Sequence, residues 1–274
     1  MSLTFHQTFP LDCENLSKLL SLVRTNPFAS NQQIADQTGI GIGKDSGKGK
    51  VQPTIDYAVY TGLVRSSVEN GVRKLEITEP GRVIEERDPW LKKPASLWVL
   101  HYFLSRQGSD AEAWSFFIHE FLPRHGEFSR SVLEAELAEK FAQRAKIRSI
   151  NPGILLSSYL EGSALERIRM IRSRAKGEFI RTNPYIPNAF TVAYILAEIW
   201  ETNRPEKLMV SPSALLEAWD LASTMGLDEV ELQSWLDALS RCGIIVQLRE
   251  APPYQVRRQW PSKADLLRRS FDEV

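Results

Sequence analysis

SNQQIADQTGIGIGKDSGKGKVQPTIDYAVYTGLVRSSVENGVRKLEIT, Ser30 to Thr78, carries in one run the signals for a helix, a turn, a second helix and a hairpin. Ser30 can accept a bond from an orphan N–H of the opening turn, and Gly39 follows Ile34, Ala35 and Gln37 as a stop. Pro53 suits a first helical turn, and Val51, Ile55, Val59 and Leu63 recur at every fourth position as one apolar face. That leaves Gln52, Thr54, Asp56 and Tyr60 for the opposite face. Leu63 to Ser67 and Lys74 to Thr78 are β-prone and joined through Glu69-Asn70-Gly71, and Asn-Gly between such runs is the strongest short-range hairpin signal. Helix, turn, helix and hairpin in that order predict a winged helix-turn-helix.

Between the two helices GIGIGKDSGKGK spaces Lys44, Lys48 and Lys50 among five glycines. Such a loop can bring backbone N–H groups and ammonium heads up to phosphates at a helix start, with Gln52 just inside the helix. It reads equally as a solvated loop. A nucleotide P-loop is excluded, because no glycine stands five places ahead of a Gly-Lys pair and neither Ser nor Thr follows one. The second helix lacks arginine on its polar face, so phosphate contact is expected there before base reading.

The whole chain has 274 residues, 43% hydrophobic and 25% charged, as expected of a globular protein of one large or two to three small domains. Its 34 basic and 34 acidic residues cancel, so a polyanion partner has to be met by a local patch. Cys13 and Cys242 have neither disulfide-framework nor zinc spacing, which points to a reducing cytoplasm. The N-terminus has no basic, apolar leader, and the most apolar runs, near 97–104 and 190–200, are too short to span a bilayer. No membrane segment is expected.

Upstream, a helix from Asp12 puts Leu16, Leu19, Leu20 and Val23 on one stripe and ends at Asn26-Pro27. Helices after Pro94 and through Trp114, Phe116, Phe117 and Phe121 to Pro123 form a core hairpin, since aromatics at helical spacing pack more often than they bind. Glu85-Glu86-Arg87-Asp88 reads as a solvated charge run at a loop end. The supersecondary order then returns twice. A helix is expected over Phe128–Gln143 with Ser129 as cap and Val132, Leu133, Leu137 and Phe141 inward, then one from Asn151-Pro152, then strands Ile168–Arg174 and Glu178–Thr182 around Ala175-Lys176-Gly177. After a helix over Ala189–Trp200, the third round uses Pro212–Met225, Asp228–Cys242 with a capping-box-like Asp228/Glu231, and strands Ile244–Arg249 and Tyr254–Arg258. The expected fold is mainly α with small β-hairpin wings (α+β), tandem winged helix-turn-helix units around a helical core. The boundaries are 1–85, 86–127 for the core hairpin, 128–188 for a basic unit and 189–274 for an acidic one.

Charge separates these units. Lys140 to Thr182 holds ten basic residues against three acidic, a local +7, whereas Asn183 to Glu250 holds ten acidic against four basic, a local −6. Arg148, Arg167, Arg169, Arg172, Arg174, Lys176 and Arg181 are therefore the main candidates for phosphate contact, with binding that weakens as salt rises. A solvated charge run partly paired with acids is the alternative. The acidic unit suits a protein partner or a second copy. For metal, His119, Glu120 and His125 are the densest cluster, but no familiar nuclease spacing accompanies them. His6 and His101 are candidates either for acid–base work or for tying the N-terminal segment to the core.

The opening His6-Gln7-Thr8-Phe9-Pro10-Leu11, Gly47-Lys48 ahead of the second helix, Tyr60-Thr61-Gly62-Leu63, and Pro94 to His101 with Leu97, Trp98 and Leu100 together resemble the domain-of-unknown-function 4007 family, which includes the SspB proteins. The resemblance runs over most of the chain. It departs at the extra Gly-Lys pair before Gly47, at Gln7 where an acid is usual and at Tyr57 where tryptophan is usual. It implies a component of a bacterial DNA phosphorothioation modification and defence system, bound to double-stranded DNA and to other proteins of that system. For the SspB branch it implies DNA nicking with a divalent metal such as Mg. A non-enzymatic winged-helix regulator or assembly factor is the alternative.

Overall fold

A computed structural model describes residues 5–42, 49–143, 151–215, 220–249 and 254–272. They form a mixed α+β fold with three small antiparallel sheets, in two compact units, 1–182 and 183–274.

The first unit begins with α1 (Cys13–Thr25), capped by the Asp12 carboxylate, and α2 (Asn31–Thr38), which carries a complete Ser30/Gln33 capping box and ends on Gly39 at φ 73°. Helix α3 spans Val51–Tyr60, so it starts two residues before the expected Pro53. Strands β1 (Val64–Glu69) and β2 (Val72–Ile77) pair in register around Asn70-Gly71, both at positive φ, the two-residue turn whose twist suits a hairpin. Leu75 N–H also donates to Pro27 O at 2.8 Å, adding a one-residue bridge on the outer side of β2.

The charge run expected at Glu85–Asp88 is instead the end of a helix, α4 (Glu79–Arg87). Asp88 is buried beyond it, accepting from Lys92 N–H, Lys93 N–H and the Ser96 hydroxyl, so its charge is spent on the turn into α5 (Pro94–Ser105). Helix α5 is apolar all round and buried on nearly every side, as a core helix must be. The aromatic helix runs without a break over 112–124, as α6 (Glu112–Phe116), a π-turn at Phe117–Phe121 and α7 (Leu122–Arg124). Gly62, at φ 74°, passes so close to α5 that an added Cβ would lie 2.5 Å from the Phe103 ring. Gly62→Ala is therefore expected to lower the stability of this unit by about 2 kcal/mol, from backbone strain plus overpacking, read as a fall in Tm.

The second round is β3 (Glu127–Ser129), α8 (Arg130–Lys140), α9 (Pro152–Leu160), β4 (Ile171–Ala175) and β5 (Glu178–Arg181), with sheet order β3-β5-β4. Ser129 caps α8 as expected, but Phe128 belongs to β3, where it pairs with Phe179, and Val132 faces outward at 40% exposure. The strand expected from Ile168 is also shorter. Glu166–Ile168 is a 3-10 turn, Arg169 is left-handed at φ 56°, and only from Ile171 does the chain pair.

In the second unit α10 (Ala189–Asn203) is buried through its middle and packs on α12 (Glu229–Arg241) and α13 (Lys263–Arg269). The Asp228/Glu231 capping box is present. The stretch expected as one helix over Pro212–Met225 is broken, since Asp220 at φ 51° starts the short α11 (Leu221–Met225). Strands β6 (Met209–Val210), β7 (Ile245–Leu248) and β8 (Gln255–Arg258) make a sheet in the order β6-β8-β7. In all three rounds, then, a segment that precedes the paired helices bonds to the second strand of the hairpin that follows them.

Candidate nucleic-acid interface

Helix α3, where phosphate contact is expected before base reading, offers solvent little free surface. In α3, Val51, Pro53, Thr54, Ile55, Tyr57 and Ala58 are buried, and Thr54 is among them because its hydroxyl donates to Lys50 O at 2.8 Å. Val59, placed on the apolar face by its spacing, is half-exposed, and Tyr57 takes the inward position against Phe5 and Trp114. Gln52 is bound sideways: its Nε2 donates to Asp56 at 2.8 Å and its oxygen accepts from Arg73 at 3.3 Å. Arg73 in turn donates to Asn31 at 2.7 Å, which ties the hairpin to both helices. The face left to solvent thus carries the Asp56 carboxylate, whose pKa is raised by burial. Lys50 places its ammonium 5.8 Å from the centre of the Phe9 ring. Lys44 and Lys48 lie outside the described residues, as does Arg148. In α9 no residue is fully exposed, so it offers no reading face either.

The β4–β5 hairpin is different. Phe128, Phe179 and Ser173 share the core side of its sheet, with the Phe128 and Phe179 rings 5.5 Å apart. Alternation puts Arg172 on the other side, opposite Ile180, and a bulge between Ser173 and Ala175 lets Arg174 follow it there, where it pairs with Glu127. Lys176 sits on the turn. Arg172 and Lys176 are exposed and enter no ion pair among the described residues. The rest of the expected basic cluster is scattered. Arg167 donates to Lys92 O at 2.6 Å, Arg169 occupies the left-handed turn before the strand, and Arg181 lies opposite Ile171 on the core side.

The family model described as "Protein of unknown function (DUF4007)" matches residues 4–156. The chain belongs to the DUF4007 family. Two solved structures are similar to this DUF4007 chain in fold. One is a magnesium ion-bound SspB crystal structure, with TM-score 0.74 and 17% identity over 98% of this chain and 86% of that one. The other is an SspB crystal structure, with TM-score 0.73 and 18% identity over the same shares. No curated protein matches the sequence.

The metal candidates of this DUF4007 chain do not converge. His119 Nε2 lies 3.0 Å from Ser105 O, the Glu120 carboxylate accepts from Lys140 at 2.6 Å, and His125 lies 2.6 Å from Glu136, which Arg124 also holds. Each is engaged by a different group. Among the described residues no three His, Cys, Asp or Glu side chains gather as ligands, so His119, Glu120 and His125 form no shared ligand set there. His6 and His101 are both buried in separate aromatic surroundings, His6 against Phe5 and Trp114 and His101 against Trp98 with its Nδ1 3.0 Å from the Tyr159 hydroxyl. Burial pushes the His6 imidazole down to about 4, against a backbone hydrogen bond to Gln7 that opposes the shift. Among the described residues no helix is long and apolar enough to cross a membrane.

Proposed function

We propose that this protein is a double-stranded DNA-binding component of a bacterial DNA phosphorothioation system, built from tandem winged helix-turn-helix units. The observation that carries the reading is the β4–β5 hairpin, which presents Arg172, Arg174 and Lys176 on or beside one outward face. Family membership and the SspB-like fold support the system, and the strand–helix–helix–hairpin order in each round supports the winged units. With α3 and α9 largely buried, the hairpin meets phosphates and leaves base edges unread, so affinity is expected to depend on salt far more than on sequence. Arg172→Glu/Lys176→Glu removes two phosphate contacts. In a gel shift with duplex DNA it is expected to weaken binding at least about tenfold and to flatten the slope of log K against log salt by about 2. Equal binding by the variant would refute the assignment.

Nicking, with other proteins of the system as partners in the cytoplasm, is the finer form of this proposal. Relaxation of supercoiled plasmid by the purified chain with a divalent metal such as Mg tests it. A second reading, a non-enzymatic regulator or assembly factor whose acidic unit docks a partner, is favoured by the separate engagement of His119, Glu120 and His125. Retained binding with no relaxed product under any metal would decide for it.

A further inference from the structure

Strand β1 lies on an open sheet edge. Thr78 N–H donates to Leu63 O, so in the register that follows Arg65, Ser67 and Glu69 turn their backbone groups toward β2, and Val64, Ser66 and Val68 turn theirs away. Among the described residues no backbone group meets them there. Natural sheets blunt such edges with bulges, short strands or inward charges. Here β4 is bulged and carries arginines, while β3 has three residues and β6 two. Strand β1 has six residues without a bulge, its outermost five exposed, and Val68 is 74% exposed.

We infer that β1 pairs antiparallel with β1 of a second copy of this chain, joining two hairpins into one four-stranded sheet across a two-fold axis. Charge selects the occupant and the register. With the axis through Ser67, the outward groups of Ser66 meet those of Val68 of the second copy, and Arg65 stands opposite Glu69 of the second copy, twice by symmetry. The neighbouring register, centred on Ser66, would put each arginine opposite a serine. Inside one chain Arg65 reaches Glu76 only at 3.6 Å and stays 74% exposed, and Glu69 meets Lys74 while staying 51% exposed, so both have room for the partner. Ser67 against Ser67 at the axis adds no steric obstacle.

Sedimentation velocity of the full chain over a wide concentration range is expected to show reversible dimers. Ser66→Pro removes an outward N–H that no bond among the described residues uses, and should weaken dimerisation at least about tenfold. Arg65→Glu and Glu69→Arg should each weaken it similarly by placing like charges opposite. The combined Arg65→Glu/Glu69→Arg chain should recover to within about threefold of the starting protein, because the pair is merely reversed. All these positions are exposed, and Val68→Lys probes the same edge without touching the hairpin bonds. A monomer at every concentration, dimers indifferent to Ser66→Pro, or a double variant no tighter than the singles would each overturn the inference.

Discussion

Trp114→Ala is expected to lower the unfolding free energy of the first unit by about 4 kcal/mol, measured by urea denaturation. Trp114 is 1% exposed and is the common neighbour of Phe5, His6 and Tyr57, which come from the N-terminal segment and α3. Tyr57 also donates its hydroxyl to Phe9 O at 3.1 Å. Removing the indole therefore opens a cavity at the point where the opening His6-to-Leu11 segment is held down, and Phe5 and His6 lose a ring they pack against. Trp114→Phe should cost much less. Its ring keeps the edge-on contacts, and the Nε1–H that it deletes is buried with no hydrogen-bond partner among the described residues, so part of the lost packing is offset by a removed desolvation penalty. If both substitutions cost the same, the cluster does not hold the segment in the way described.

The parts of this fold that can be read from sequence are those governed by neighbours a few residues away. Ser30 with Gln33, Gly39, Asn70-Gly71 and Asp228 with Glu231 each act within four residues, and each appears where its chemistry places it. Phe128 does not, because a three-residue strand exists only through β5, some fifty residues on, and nothing local separates it from the first residue of a helix. Ile168 to Met170 misleads for the same reason: alternating Ile, Arg and Met suits a strand, but the chain turns through Arg169 before pairing begins. Asp88 looks solvated beside Glu85 and Glu86, and only the turn that returns Lys92, Lys93 and Ser96 to it explains its burial.

The candidate interface divides along the same line. That Arg172, Arg174 and Lys176 belong to a hairpin was legible from Lys176-Gly177 and its β-prone flanks. That Arg167 is spent on a backbone carbonyl of Lys92, and that Tyr57 turns inward from α3 to Phe5, Phe9 and Trp114, depends on contacts from distant segments. A count of charges along the chain overstates the patch, since it cannot register which cations the fold has already engaged.

Acid should loosen the first unit through His6, which is 2% exposed and whose imidazole is pushed down from 6.5 to about 4 mainly by burial. The folded state holds this ring neutral, so the unfolded state binds the extra proton. The contribution is complete above pH 6.5, declines as pH falls toward 4 and is gone below that. At 1.36 kcal/mol per pH unit the gap comes to about 3 kcal/mol. Carboxylates also titrate toward the acid end, so the informative quantity is the difference between the parent chain and His6→Phe, which has a ring in the same aromatic box and nothing to protonate. Urea midpoints measured at steps from pH 7.5 to 4.5 should fall more steeply for the parent, with most of the divergence between pH 6.5 and 5, where most carboxylates are still charged. Parallel curves would mean that His6 is not held neutral by its surroundings. In that case its burial against Phe5 and Trp114 would no longer account for how the N-terminal segment is fixed to the helical core.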